Sequence, residues 1–329
     1  MKEYQGAYDC LDLSAVHTAP LAERPNKVTL GDLVRLDQVT APDEALEDEA
    51  LGAVADAVRA ARAAGLPVIG FVGAHPVKLG LSPLLIDLME RRLLTHVAGN
   101  GATAIHDFEL ALIGQTSENV PNALPRGRFG MAAETGALMN DAIAAGYDRG
   151  LGLGEALGRL ILGQAMPEKA PFQHPEVSLL AAGVRLGIPA TIHVGIGTDI
   201  IDQHPSFDGA AKGGASGFDF RVYAASVAGL TRGGVVLNIG SAVTGPEVLL
   251  KAVSIAANIG RPPGPITAAN FDLRPVVPDD VTDEDKPTYY FRDNKSVATR
   301  IPAAFGGTGH YVRGHFRDTL TALYKRLTG

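Results

Sequence analysis

His193, Asp199, Asp202, His204 and Asp208 crowd into one stretch, IPATIHVGIGTDIIDQHPSFDGAAKGGASGFDFR, from Ile188 to Arg221. Each charged group withdrawn from water needs a partner, so a set this dense reads as the rim of a site rather than as an ordinary connection. Imidazole titrates near neutral pH and a neighbouring acid fixes its tautomer, which makes Asp199 with His204, His193, Asp208, and the earlier pair His106–Asp107 candidates for a general base and its orienting carboxylate. The same side chains suit a metal-dependent hydrolase or lyase, but no HxH or HExxH spacing is present, so ligands would have to gather from separate loops. Two structural uses compete with these: His193 as a core histidine with a hydrogen-bond partner, and Asp199 as the cap of a helix over DIIDQH.

The elements that position these groups alternate. Acids open and arginines close DEALEDEALGAVADAVRAARAA, an order that complements a helix macrodipole, and Gly65 stops it. LPVIGFVGA is a buried-type strand; Ser82 as cap and Pro83 in the first turn open a helix, SPLLIDLMERRLL; the strand THVAGNGA follows. The pattern returns as HPEVSLLAAGVRLG (helix), IPATIHVG (strand), FRVYAASVAGL (helix), GGVVLNIG (strand), PEVLLKAVSIAANIG (helix), GPITAANFDL (strand), SVATRI (strand) and FRDTLTALYKRL (helix). Strands separated by helices predict an α/β fold with a doubly wound, mostly parallel sheet and helices on both faces. Residues 1–42 read as an N-terminal arm and 43–329 as one domain, with a helical insertion at about 115–170. The acidic stretch 279–286 reads as an exposed loop. Gly195 and Gly197 fall just after a strand, at the edge where open parallel sheets bind ligands.

Composition removes several functions. The chain has 329 residues, 46% apolar, which suffices for one large domain. A single Cys10 excludes an internal disulfide framework and any multi-cysteine zinc site, and with the absence of a signal-peptide pattern points to the cytoplasm. A net charge of −7 without a basic cluster argues against nucleic acid, and no apolar run is long enough for a membrane. The expected partner is a small-molecule substrate.

Four pieces in order, VIGFVGAHPVKLGLSPLLIDLMERRLLTHVAGNGATAIHDFELAL, IPATIHVGIGTDIIDQHP, RGGVVLNIG and PITAANFD, resemble the deoxyhypusine synthase family between about Pro67 and Ile301. The resemblance implies a Rossmann-like fold, NAD as cofactor and a homotetramer. It implies that the loop Gly73 to His75, the turn Gly99 to Ala102 with Asn100 and Gly101, and the segment Thr267, Ala268, Asn270 and Asp272 hold the dinucleotide, to which the strand-end Gly195 is added, and that Asp199 and His204 line the pocket; His106 is a further catalytic candidate. Backbone N–H groups at Gly73–His75, with Lys78 one turn on, agree with an anionic group there, although no GxGxxG follows the first strand. That family uses a lysine imine in a tryptophan–glycine–lysine motif; this chain has no tryptophan, and Lys295 in TYYFRDNKSV is the nearest amine. Ile105 and His106 replace an acidic pair that would hold a polyamine, and charge-assisted contacts are the strong ones. The expectation is therefore an NAD-dependent enzyme using transient hydride transfer on a small polar, non-polyamine substrate. The alternatives are the metal enzyme above or a catalytically silent nucleotide-binding relative.

Overall fold

The runs VIGFV and GVVLNI are buried at every position, the mark of strands covered on both faces. The computed structural model describes residues 4–164, 172–276, 281 and 283–329. Its strands are β1 (Asn26–Thr29), β2 (Val68–Val72), β3 (His96–Asn100), β4 (Gln115–Glu118), β5 (Ala190–His193), β6 (Gly234–Ile239), β7 (Ile266–Asp272) and β8 (Thr308–Arg313). Its helices are α1 (Asp43–Glu47), α2 (Glu49–Ala63), α3 (Ala74–Lys78), α4 (Ser82–Glu90), α5 (Gly101–Ile113), α6 (Val120–Ala123), α7 (Ala133–Asp148), α8 (Leu153–Ile161), α9 (Leu179–Leu186), α10 (Gly209–Val227), α11 (Thr244–Asn258), α12 (Ile301–Ala304) and α13 (Phe316–Thr328).

Among the described residues, six strands form one all-parallel sheet in the order β5–β3–β2–β6–β7–β8. Counted from its first strand this is 3-2-1-4-5-6, the doubly wound Rossmann order. The chain builds outward from β2 to β5, then returns to β6 and builds the other way. Helices leave the shared edge of β2 and β6 in opposite directions, so a crevice opens at the C-terminal ends of those two strands. One face of the sheet packs Val235, Leu237 and Ile239 against α2, α4 and α13. The other packs Ile69, Phe71 and Val236 against α10 and α11.

Several expected elements shift. The first helix is broken at Asp48, whose side chain accepts from Leu51 N–H and so caps α2 afresh. Ser82 is the first residue of α4 and caps nothing; its buried hydroxyl has no partner. SVATRI is not a strand: Asn294–Arg300 is a π-helical segment running into α12, and the edge strand is β8, which the sequence reading passed over. The expected helix FRVYAASVAGL starts earlier, with GAAKGGASG as the first turns of α10, capped by Asp208, which accepts from Ala210 and Ala211 N–H. Gly214 lies against the Tyr147 ring, where a Cβ would collide, so this glycine serves helix packing. The insertion begins with β4, which pairs antiparallel with β1 of the arm, before α6, α7 and α8; its end at 165–170 lies outside the described residues, as do 279, 280 and 282 of the acidic loop.

Candidate functional site at the sheet's carboxyl edge

Strand alternation decides which side chains meet at the crevice. On the face covered by α10 and α11, the last inward positions are His193 (β5), Asn100 (β3), Phe71 (β2), Asn238 (β6), Asn270 (β7) and Tyr311 (β8), and pairing aligns Asn100 with His193, Phe71 with Asn238, and Asn270 with both Asn238 and Tyr311. A polar row therefore crosses the sheet just below its ligand-binding edge.

The β3–β5 half of that row is filled by the protein itself. Asn100 is the N-cap of α5, its side chain accepting from Thr103 N–H at 2.9 Å. Gly101 stands under the Asp199 carboxylate, which occupies the space a Cβ would need and faces the positive end of α5. Asp199 in turn accepts from Lys212 Nζ at 2.8 Å, and Lys212 also pairs with Asp202. Lys212 is only 1% exposed, so this triad is a buried charge cluster of the kind that is tolerated when every charge has a partner. Burial raises Asp199 above the usual carboxylate range, with Lys212 pulling the other way. Lys212 has no signal in the sequence, because it sits among small residues ahead of the expected helix FRVYAASVAGL.

Asp199 and His204 are not a dyad. His204 Nδ1 meets Ser206 Oγ at 2.8 Å, its ring packs on Gly136 of α7, and its buried Nε2 has no partner. His193 is a core histidine: its Nε2 lies 3.1 Å from Thr191 Oγ1, which also meets His96 Nε2 at 2.9 Å, beside the edge of the Tyr223 ring. Burial holds His193 at about 4 and His96 at about 3. His106 and Asp107 point to different sides of α5. Asp107 accepts from Ser178 Oγ at 2.5 Å and Leu179 N–H at 2.7 Å, pinning the start of α9, whereas His106 Nδ1 meets Thr116 Oγ1 at 2.7 Å.

The β6–β7 half is different. Asn238 Nδ2 donates to Ser241 O at 2.8 Å and to Asn270 Oδ1 at 2.7 Å, and Asn270 Nδ2 donates to Asp293 Oδ2 at 3.1 Å. Arg274 joins Asp293 to Asp272. In this buried chain, Asn238 Oδ1 and Asp293 Oδ1 have no donor among the described residues. Desolvated acceptors without a donor are costly, so this half of the row is suited to receive N–H or O–H groups from outside the chain. Across the switch point, His75 lies within electrostatic reach of Lys78 and His315, and burial together with these two neighbours lowers His75.

The remaining expected residues are scattered. Gly73 is required by packing, since a Cβ would collide with the Gly240 carbonyl across the crevice floor. Gly195 is an exposed loop residue and Asp272 binds Arg274. Thr267 and Ala268 open β7 at the opposite end of the sheet, with Ala268 fully buried in the core, so the structure puts both away from the crevice. Lys295 lies in the π-helical segment, its Nζ 3.4 Å from the Tyr289 ring centroid; burial, Arg300 and Arg292 lower it. Among the described residues no three His, Cys, Asp or Glu side chains converge as a metal site, and no helix is long and apolar enough to cross a membrane.

No family model and no curated protein matches the chain. Among solved structures it is similar to the unliganded arginine dihydrolase ArgZ of the cyanobacterial ornithine–ammonia cycle, at 15% identity over 84% of this chain and 31% of that one, with TM-score 0.47. It is also similar to AgrE in ternary complex with ornithine and NAD+, at 16% identity over 88% and 34%, with TM-score 0.49, and to a conserved LOR/SDH protein of Methanococcus maripaludis S2, at 16% over 88% and 71%, with TM-score 0.46. The chain thus spans about a third of the length of the first two. Likeness at this level says nothing of what this chain binds.

Proposed function

We propose that the protein is an NAD-dependent enzyme acting on a small polar substrate in the crevice between β2 and β6. The observation that carries this reading is the strand order, which opens a crevice at a point where two buried acceptors, Asn238 Oδ1 and Asp293 Oδ1, lack donors. NAD fits those groups. Its ribose hydroxyls and carboxamide offer the donors that Asn238 and Asp293 lack, and its pyrophosphate suits the neighbourhood of His75, Lys78 and His315. The bound nicotinamide would supply reversible hydride acceptance; the chain's own groups orient it. The cap of α5 and the Asp199–Lys212–Asp202 cluster fill the β3–β5 half, which supports a dinucleotide lying toward β6 and β7.

A polyamine is disfavoured as substrate, because the side chains of Asp199 and Asp202 are buried and already share Lys212 as their ion-pair partner. A homotetramer of the deoxyhypusine synthase kind remains part of the proposal through sequence resemblance alone. The test is thermal unfolding with and without NAD+. A ligand that binds only the native state at about a hundredfold above its Kd stabilises by about 2.7 kcal/mol, so NAD+ should raise the midpoint by several degrees and Asn238→Ala should abolish most of that rise. An unchanged midpoint at millimolar NAD+ would refute the reading.

A further inference from the structure

Behind α3 and α5 lies a second polar cluster that meets the crevice at Lys78. Glu109 on α5 is 1% exposed, and its carboxylate accepts from Arg24 at 2.7 Å, from the Thr116 hydroxyl at 2.6 Å and from the Thr135 hydroxyl at 2.8 Å. With its hydrogen directed to Glu109, Thr116 has only lone pairs to offer His106 Nδ1 at 2.7 Å. The ring must therefore carry its proton on Nδ1, which leaves Nε2 as an acceptor. No partner for Nε2 exists among the described residues, and the His106 side chain is half-buried rather than enclosed. Ser117, next to Thr116, holds a left-handed backbone at φ 72°. That conformation is costly for a non-glycine residue and persists where the surroundings enforce it. Lys78 on α3, which packs on α5, likewise has no hydrogen-bond or ion-pair partner among the described residues.

We infer that His106 Nε2 is a fixed hydrogen-bond acceptor for a small hydroxylated anion, whose hydroxyl it receives and whose negative group pairs with Lys78, with Thr116 and Glu109 as positioning residues. The groups facing the ring are Glu109, Lys78, Arg24 and His75; burial, helped by Lys78, Arg24 and His75, outweighs Glu109 and holds His106 at about 4. It stays neutral at physiological pH and acts as an acceptor, not as a base. Only the placing of this anion beside NAD rests on the function proposed above, and the test needs no NAD+, so the two ideas fail separately.

Nitrogen-15 NMR of the histidine rings decides it, with His106 assigned by His106→Gln. The expected pattern is protonated Nδ1 and bare Nε2 at neutral pH, retained in Thr116→Ser and lost in Thr116→Val, where the ring reverts to a mixture of tautomers. Millimolar glycerate should shift the Nε2 resonance, whereas propionate, which has the charge without the hydroxyl, should not. Protonated Nε2 in the parent protein, or an unchanged ring in Thr116→Val, overturns the relay. Equal responses to glycerate and propionate, or none, overturn the ligand class.

Discussion

Lys212 shows how one side chain can anchor a site without reacting in it. Its ammonium holds Asp199 above the start of α5 and Asp202 in the following turn. Lys212→Ala would leave two buried carboxylates without their cation, and breaking a buried pair from one side costs about 3–5 kcal/mol. Urea denaturation should show a loss of that size; Asp202→Asn, which keeps the Lys212–Asp199 pair, should lose less. The buried histidines set a second test. His96 and His193 lie at about 3 and about 4 in the fold against an ordinary 6.5. The unfolded chain therefore binds protons that the native state refuses, and their contribution is complete above pH 6.5 and lost as pH falls toward those values. Asp219 and Asp107 act oppositely: raised to about 7 and about 6, they favour the fold below the ordinary carboxylate value of 3.8 and lose that contribution as pH rises through their folded values. Thermal midpoints of His96→Asn should accordingly fall less than those of the parent between about pH 7 and about pH 5.

At the scale of elements, the sequence declared most of the sheet. Strand-like runs gave β2, β3, β5, β6 and β7; charge order gave α2, the Ser82–Pro83 pair marked α4 although Ser82 is its first residue and not its cap, and alternation with strands gave α11 and α13. Two errors have physical causes. SVATRI has the β-branched look of a strand, but as a π-helical segment it buries Asn294, Lys295, Ser296 and Val297 against the sheet edge, and local composition does not distinguish these outcomes. TGHYVR escaped notice because an edge strand keeps most of its length in partial contact with water. Glycines disguised the start of α10, each costing about 1 kcal/mol of helix propensity relative to alanine, a cost offset by the Asp208 cap and close packing on α7. The junction of β2 and β6 is where one element depends most on another. Gly73→Ala would push a methyl into the Gly240 carbonyl, and overpacking of this kind costs about 1–3 kcal/mol. The expected result is a lower unfolding midpoint together with weakened NAD+ protection, whereas Gly163→Ala, in open space, should leave NAD+ protection unchanged.

For the whole molecule, the doubly wound order was legible as a class and its crevice only in part. Titratable residues clustered in the sequence around His193–Asp208, yet folding turned most of them inward as caps, core histidines and an ion-paired triad. The two acceptor atoms without a donor among the described residues at this point, Asn238 Oδ1 on β6 and Asp293 Oδ1 before the π-helical segment, come from stretches far apart in the chain, and they are linked only through Asn270 on β7. Glu109, Thr116 and Arg24 were missed for the same reason, since their meeting depends on β1 pairing with β4. The central claim, that NAD occupies the β2–β6 crevice, is tested most directly by amide hydrogen exchange with and without NAD+. Slowed exchange confined to Gly73–Lys78, Asn238–Gly245 and Asn270–Arg274 is the predicted result, and protection confined to Gly195–His204, or none anywhere, would contradict it.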